Sequence, residues 1–289
     1  MAVTKFFQKF PKVPYSFGDG ELPVNYQNLS VYIDAFEQLG EFDAYYQNYQ
    51  IKDHQRPDQI SFELYGTTDF YWTFFLINEK IRRCGWPIDN SQVYNKAKQY
   101  YPNVAITTTG TSFNQETVTN KPMSRSLGFS SGKWVYFPVN KVAAKILRID
   151  QNLATLYLDI KSIPAEESFM YAISENDAKA VNTSGFTNFS PTLTNDEYLK
   201  RYDRTEIHRA YNQWDAIHHY EDADGNWVYP TYNGPPDYRF QWNSVSSYQS
   251  ISYFQRMRDF NEELRSIKVL KKPVVLQVVT EFNQLLKLR

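Results

Sequence analysis

The side chains able to ligate a metal or move a proton are few and scattered. His218-His219, with His208, is the nearest approach to a metal set. Neighbouring residues of a strand point to opposite faces, so that pair is not expected to converge. No Cys pair and no His-Glu-x-x-His run accompanies them to complete a tetrahedral site. Asp222, Asp224 and Asn226 alternate as calcium ligands do. An EF-hand loop puts glycine sixth and a bidentate Glu twelfth, whereas here Gly225 is fourth and Asn233 twelfth. The run therefore reads as a turn.

Glu262-Glu263 and Glu166-Glu167 pair carboxylates. Glycosidase chemistry needs two carboxyls at a set separation, and these read as solvated surface. Walker and Gly-x-Gly-x-x-Gly loops are absent, which removes the usual phosphate cradles. Cys84 is the single cysteine. It can form no internal disulfide and is expected as a small buried apolar group. The expectation is a chain that is not an enzyme, with no catalytic residue, cofactor or metal.

Formal net charge is −1 over 289 residues, with a pI of about 6.4. No basic field favours nucleic acid or an anionic membrane. Lys5–Pro11 is too short and interrupted to be the apolar region of a signal peptide, so the expectation is a protein made and kept in a cytosol. Aromatic residues reach 17% while mean hydropathy is −0.58. A chain so polar yet so rich in Tyr and Trp suits protein contacts better than one dry core.

The elements that would position a contact surface centre on 46–87. Tyr49 and Ile51 alternate with Gln50 and Lys52, the pattern of a half-buried strand. Pro57 opens a helix with Asp58 in its first turn. Ile60 and Leu64 share a face, and Gly66 ends the helix because glycine takes the left-handed conformation without a Cβ penalty. Thr67 or Thr68 caps the next helix, with Asp69 in its first turn. That helix, Phe70–Ile77, is apolar almost all round, unlike the single stripe of a helix lying on one core. It is far too short to cross a bilayer. Either this chain covers its outer face or another protein does, and its Trp and Tyr favour a partner.

With a return strand at Trp86-Pro87, this segment resembles a LysM unit. Arg56-Pro57-Asp58-Gln59-Ile60-Ser61, Leu64-Tyr65-Gly66-Thr67-Thr68 and Tyr71-Trp72-Thr73-Phe74-Phe75 resemble, more narrowly, one family of contractile-tail bacteriophage proteins. It is the baseplate wedge subunit with a LysM-like domain, gene product fifty-three in the T-even series. Ala216–Gly225 and Glu263–Leu270 are also similar to that family. The resemblance implies a virion structural protein of the tail baseplate, assembled in the host cytoplasm. Six copies, or a multiple of six, would surround the tail. Its implied partners are neighbouring wedges, the wedge core subunits and the sheath-proximal subunit with a lysozyme-like fold. Phe70, Tyr71, Trp72, Phe74 and Phe75 would form the docking face. Arg56, Pro57, Asp58, Gly66, Thr68, Asn78 and Trp86 would form the LysM-like structural motif. The alternative is a peptidoglycan- or chitin-binding LysM module of a cell-wall-acting protein.

The rest of the chain reads as α+β. Residues 1–45 form an extended N-terminal arm punctuated by Pro11, Pro14, Pro23 and Gly18-Asp19-Gly20, although Leu29–Leu39 allows a strand or a short helix. Residues 46–101 form the LysM-like domain, closed by a helix over Ser91–Tyr101. Residues 102–235 form a β-rich middle domain. Its strands are expected at Trp134–Phe137, Ala144–Ile149 and Ala154–Ile160, with a hairpin over 215–229 turning at Asp222–Gly225. A short helix starts at Asn195 or Asp196, and Pro164–Pro191 gives weak signals. Residues 236–289 form a C-terminal helical segment. It carries a helix through Ile251, Phe254, Met257, Leu264 and Ile267 capped by Ser246 or Ser247. A brief strand over Ile267–Leu270 and a final helix from Pro273 follow.

Overall fold

The computed structural model describes residues 12–16, 24–27, 43–114, 119–122, 129–184, 203–228, 248–277, 280 and 284. Expectations for 29–39, the helix at Asn195 or Asp196, the Ser246 or Ser247 cap and most of the final helix lie outside them. The chain is α+β and divides into two compact units, Met1–Asn90 with Asp259–Arg289, and Ser91–Arg258.

In the first unit β1 (Lys12–Tyr15) and β2 (Val24–Gln27) pair antiparallel. β3 (Tyr46–Gln50) leads to α1 (Pro57–Tyr65). Pro57 stands at the start of α1, and the Arg56 amide donates to Gln59 Oε1 at 2.9 Å. The Arg56 guanidinium grips Asp58 at 2.7 Å. Gly66, at φ 81°, takes the left-handed position and returns its N–H to Phe62 O. A 3-10 turn over Thr68–Phe70 follows, and its cap is Thr67 rather than Thr68, with Thr67 Oγ1 accepting from the Asp69 amide. α2 (Trp72–Ile77) and α3 (Glu79–Cys84) complete the run.

The return strand expected at Trp86-Pro87 is absent. Ile88 explains it: both its amide and its carbonyl bond the Asn261 side chain, at 2.9 and 2.8 Å. A side-chain amide thus stands in for a neighbouring strand, and Trp86 Nε1 is anchored on Gln55 O at 2.8 Å. The partner of β3 is instead β15 (Ser266–Leu270), antiparallel in the register Ile267 with Tyr49 and Val269 with Gln47. Tyr65 OH donates to Leu270 O across 205 residues of sequence. The core gathers Ile51, Ile60, Tyr65, Phe74, Ile81, Leu264, Ile267, Val269, Leu270 and Val275. Residues 272–277 are helical. Cys84 is exposed rather than buried, since α3 turns Ile81 inward instead.

The second unit begins with α4, whose helix runs Asn90–Tyr100, then β4 (Val104–Thr108), β5 (Thr111–Asn114) and β6 (Thr119–Pro122). β7 (Trp134–Phe137), β8 (Val142–Asp150), β9 (Thr155–Leu158), β10 (Phe169–Ile173) and β11 (Arg204–Asn212) complete a mainly antiparallel ring. The order β10-β7-β8-β9-β4-β11 closes on itself through β10 with β11, and the β5–β6 hairpin extends from β11. Closure removes the open edges of a flat sheet. Val104, Ile106, Val135, Phe137, Ile146, Leu156, Leu158 and Met170 fill one core of this unit. α5 (Glu175–Ser184) packs Ala178 and Val181 against Tyr136 and Tyr171. Its cap is Ser174, whose Oγ accepts from the Asp177 amide.

β12 (Ile217–Glu221), β13 (Trp227–Val228) and β14 (Gln249–Ser252) form a smaller antiparallel sheet around the expected turn. Asp222 Oδ1 accepts from the Asp224 and Asn226 amides at 3.0 and 2.8 Å, so this carboxylate serves the turn. α6 (Tyr253–Arg265) starts after Ser252, whose Oγ accepts from the Gln255 amide. Ile251 and Ile267 therefore belong to the flanking strands rather than to the helix.

Candidate interaction surface

The five rings placed by sequence on one docking face divide. Trp72 is 2% and Phe74 0% exposed, so neither is available to a partner. Phe74 stacks on Tyr65 with ring centres 6.1 Å apart and meets Trp86 at 6.4 Å. For Phe74 the physical reason is the strand from the far end of the chain: β15 and Val275 supply cover that 46–87 lacks by itself. Phe70, Tyr71 and Phe75 remain only partly buried on the rim of the same core. Phe62, which the sequence reading passed over, is 61% exposed on α1.

The motif residues act structurally. Arg56, Pro57, Asp58 and Gly66 frame α1. Asn78 holds β15 as a strand would, its Nδ2 donating to Lys268 O at 2.7 Å and its Oδ1 accepting from the Lys268 amide at 2.8 Å. Burial keeps the Tyr65 phenol well above the ordinary range.

A second apolar surface lies on the β1–β2 pair. Val13 faces Tyr26 and Tyr15 faces Val24 across the strands, which puts all four on one side. Their exposures run from 42% to 57%.

In the second unit the expectation for His218 and His219 is corrected. Their Nδ1 atoms lie 2.9 Å apart, because the register of β12 against β14 shifts between Ile217 and His219. Such a bulge re-aims one side chain. Arg256 donates to His218 Nε2, leaving His218 Nδ1 protonated to donate to His219 Nδ1. His219 then donates from Nε2 to Glu221 Oε1 at 2.9 Å, so each tautomer follows from the one before it. Every ring nitrogen is engaged within this chain, and among the described residues no cluster is arranged to hold a metal ion. Trp227 stacks on His219 at 4.1 Å and under the Arg256 guanidinium at 4.9 Å.

Burial, then the Arg256 charge, pushes His218 down from 6.5 to about 4. The unfolded chain therefore takes up the proton first, and stability falls as pH drops from about 6.5 towards 4. We expect the melting temperature of the second unit to decline over that window. His218→Gln, which keeps a donor and an acceptor but cannot titrate, should flatten the slope.

Residues 24–114 match the family model described as base plate wedge protein 53. The match covers about a third of the chain and supports the baseplate wedge family. The matched stretch contains β2, β3, α1 to α4, the ring strand β4 and β5. The match supports a structural role in the tail baseplate of the virion, among other baseplate proteins. No curated protein matches the chain. Among the described residues no helix is long and apolar enough to cross a membrane.

Proposed function

We propose that this chain joins wedge proteins to one another around the tail axis, without catalysing a reaction. It does so chiefly through the unit built from β3, α1 to α3 and β15, aided by the N-terminal arm. The observation that carries the reading is the family match over 24–114, within which Phe70, Tyr71 and Phe75 stay incompletely covered by their own chain. Partly covered rings on a rigid helical rim can complete their burial against a neighbour, and such anchors dominate interface energies. The partners in this reading are the wedge core subunits, the sheath-proximal subunit with a lysozyme-like fold and adjacent wedges, with six copies or a multiple per baseplate.

Co-expression with the other wedge proteins of the same virus tests it. The wild-type chain should enter a stable complex. Tyr71→Ala with Phe75→Ala should weaken entry by about 2 kcal/mol or more, beyond any loss in the thermal stability of the free subunit. Equal entry of variant and wild type would remove these rings from the interface.

A further inference from the structure

The β3–β15 sheet of the first unit is finished on one edge and open on the other. Lys271 N donates to Tyr45 O and Ile51 N to Arg265 O, both at 2.9 Å. With the antiparallel register, those bonds fix Tyr45, Gln47, Tyr49 and Ile51 as the residues whose main chain faces β15. Asn48 and Gln50 therefore present their N–H and C=O groups to the other side. On β15 the corresponding outward groups are taken: Asn78 satisfies Lys268, and Tyr65 satisfies the Leu270 carbonyl. On β3 the outward groups of Asn48 and Gln50 find no partner among the described residues, and both residues are exposed.

This edge lacks the devices that normally protect one. Tyr46-Gln-Asn-Tyr-Gln50 has no charge and no proline, and its pairing runs five residues without a bulge. Exposed edges are usually blunted by such features, and an unprotected one accepts a further strand.

We propose that the outer edge of β3 receives an extended segment of a neighbouring baseplate protein as a third strand. This rests on the reading that other baseplate proteins hold the chain. The charges at the two ends describe the occupant. Lys52 and Lys271 are both exposed there, while Asp53 beside Lys52 is already paired with Arg265. The segment that fits is uncharged where it crosses Asn48 and acidic at its flanks. A second copy of this chain fits less well, since antiparallel self-pairing about Asn48 sets Lys52 towards the other copy's Lys271.

The test uses the full chain with the wedge proteins of the same virus. Asn48→Pro deletes an outward amide without touching the bonds to β15, and proline is tolerated at strand edges. It should weaken incorporation by about tenfold or more while the melting temperature of the free chain holds. Asn48→Ala should incorporate normally, because the main chain makes the contact. Hydrogen exchange on the wild type needs no variant: the Asn48 and Gln50 amides should exchange fast in the free chain and become protected in the complex. Amides that stay fast in the complex overturn the proposal, even where Asn48→Pro proves unstable. Wild-type entry combined with undiminished Asn48→Pro entry overturns it too, and leaves the ring-mediated reading standing. A wild-type chain that enters no complex sinks both. Sedimentation showing a dimer that Asn48→Pro dissociates would replace the partner with a second copy.

Discussion

Arg265→Ala should cost the first unit about 3 kcal/mol, the usual scale for stranding buried acceptors. Its side chain is only 7% exposed. The guanidinium donates to the carbonyls of Ile51 and Ile88 and to Asp53, and lies 3.1 Å from Glu262. The two carboxylates are well exposed, 61% and 47%, so water can take over most of their needs. The Ile51 carbonyl cannot be rescued so easily, whereas that of Ile88 keeps its bond from Asn261 Nδ2. Ile51 directly follows β3, Ile88 lies in the loop where a return strand was expected, and Arg265 ends α6. One side chain therefore ties together three segments that no continuous stretch of sequence connects. Arg265→Lys should recover little, because a single ammonium lacks the planar fork that reaches separated acceptors. Arg265→Met should recover part, through the stem packing alone. Urea unfolding of the three variants, compared at equal slope, measures the difference. A loss under about 1 kcal/mol for alanine, the range of exposed ion pairs, would show that the carbonyl bonds contribute nothing.

Local signals were legible and distant ones were not. Pro57 and Gly66 bracket α1 because each acts on its own backbone. The strands over 134–137 and 142–150 follow from short apolar runs. The pairing of β3 with β15 could not be read: Ile267–Leu270 alternates as a strand, but nothing in its pattern names a partner more than two hundred residues away. Closure of β10 on β11 is equally non-local. α5 was missed although Ser174, Glu175 and Asp177 form a cap and an acidic first turn, because its apolar stripe is only Ala178 and Val181. The histidine pair failed on the period-two rule itself, which a one-residue bulge suspends. Asn78 and Asn261 acting as strand surrogates left no trace, since an amide side chain looks the same in a loop as on a strand edge.

The apolar helix after Gly66 poses the largest remaining contrast, between rings that hold the fold and rings that remain to be covered. Phe74→Ala should destabilise the first unit by about 3–5 kcal/mol, the cost of emptying a fully buried aromatic site. Phe74 sits between Tyr65 and Trp86 with no exposure, and its neighbours are fixed from opposite directions. Tyr65 is held by Leu270 O and Trp86 by Gln55 O, so the walls cannot close over the cavity. Trp72→Ala, at 2% exposure, belongs with it. Phe75 packs on Trp86 at 5.6 Å and is only partly buried, so its truncation should cost the isolated chain clearly less. Melting and reconstitution on the same variants separate the two roles. For Phe74 the assembly defect should track the fraction unfolded and disappear when the assay is run well below the variant's melting temperature. For Phe75 it should persist there. If Phe75→Ala assembled as the wild type does while Phe74→Ala failed at full foldedness, the assignment of these rings would be reversed, and the helix would have to expose its inner face when the wedge forms.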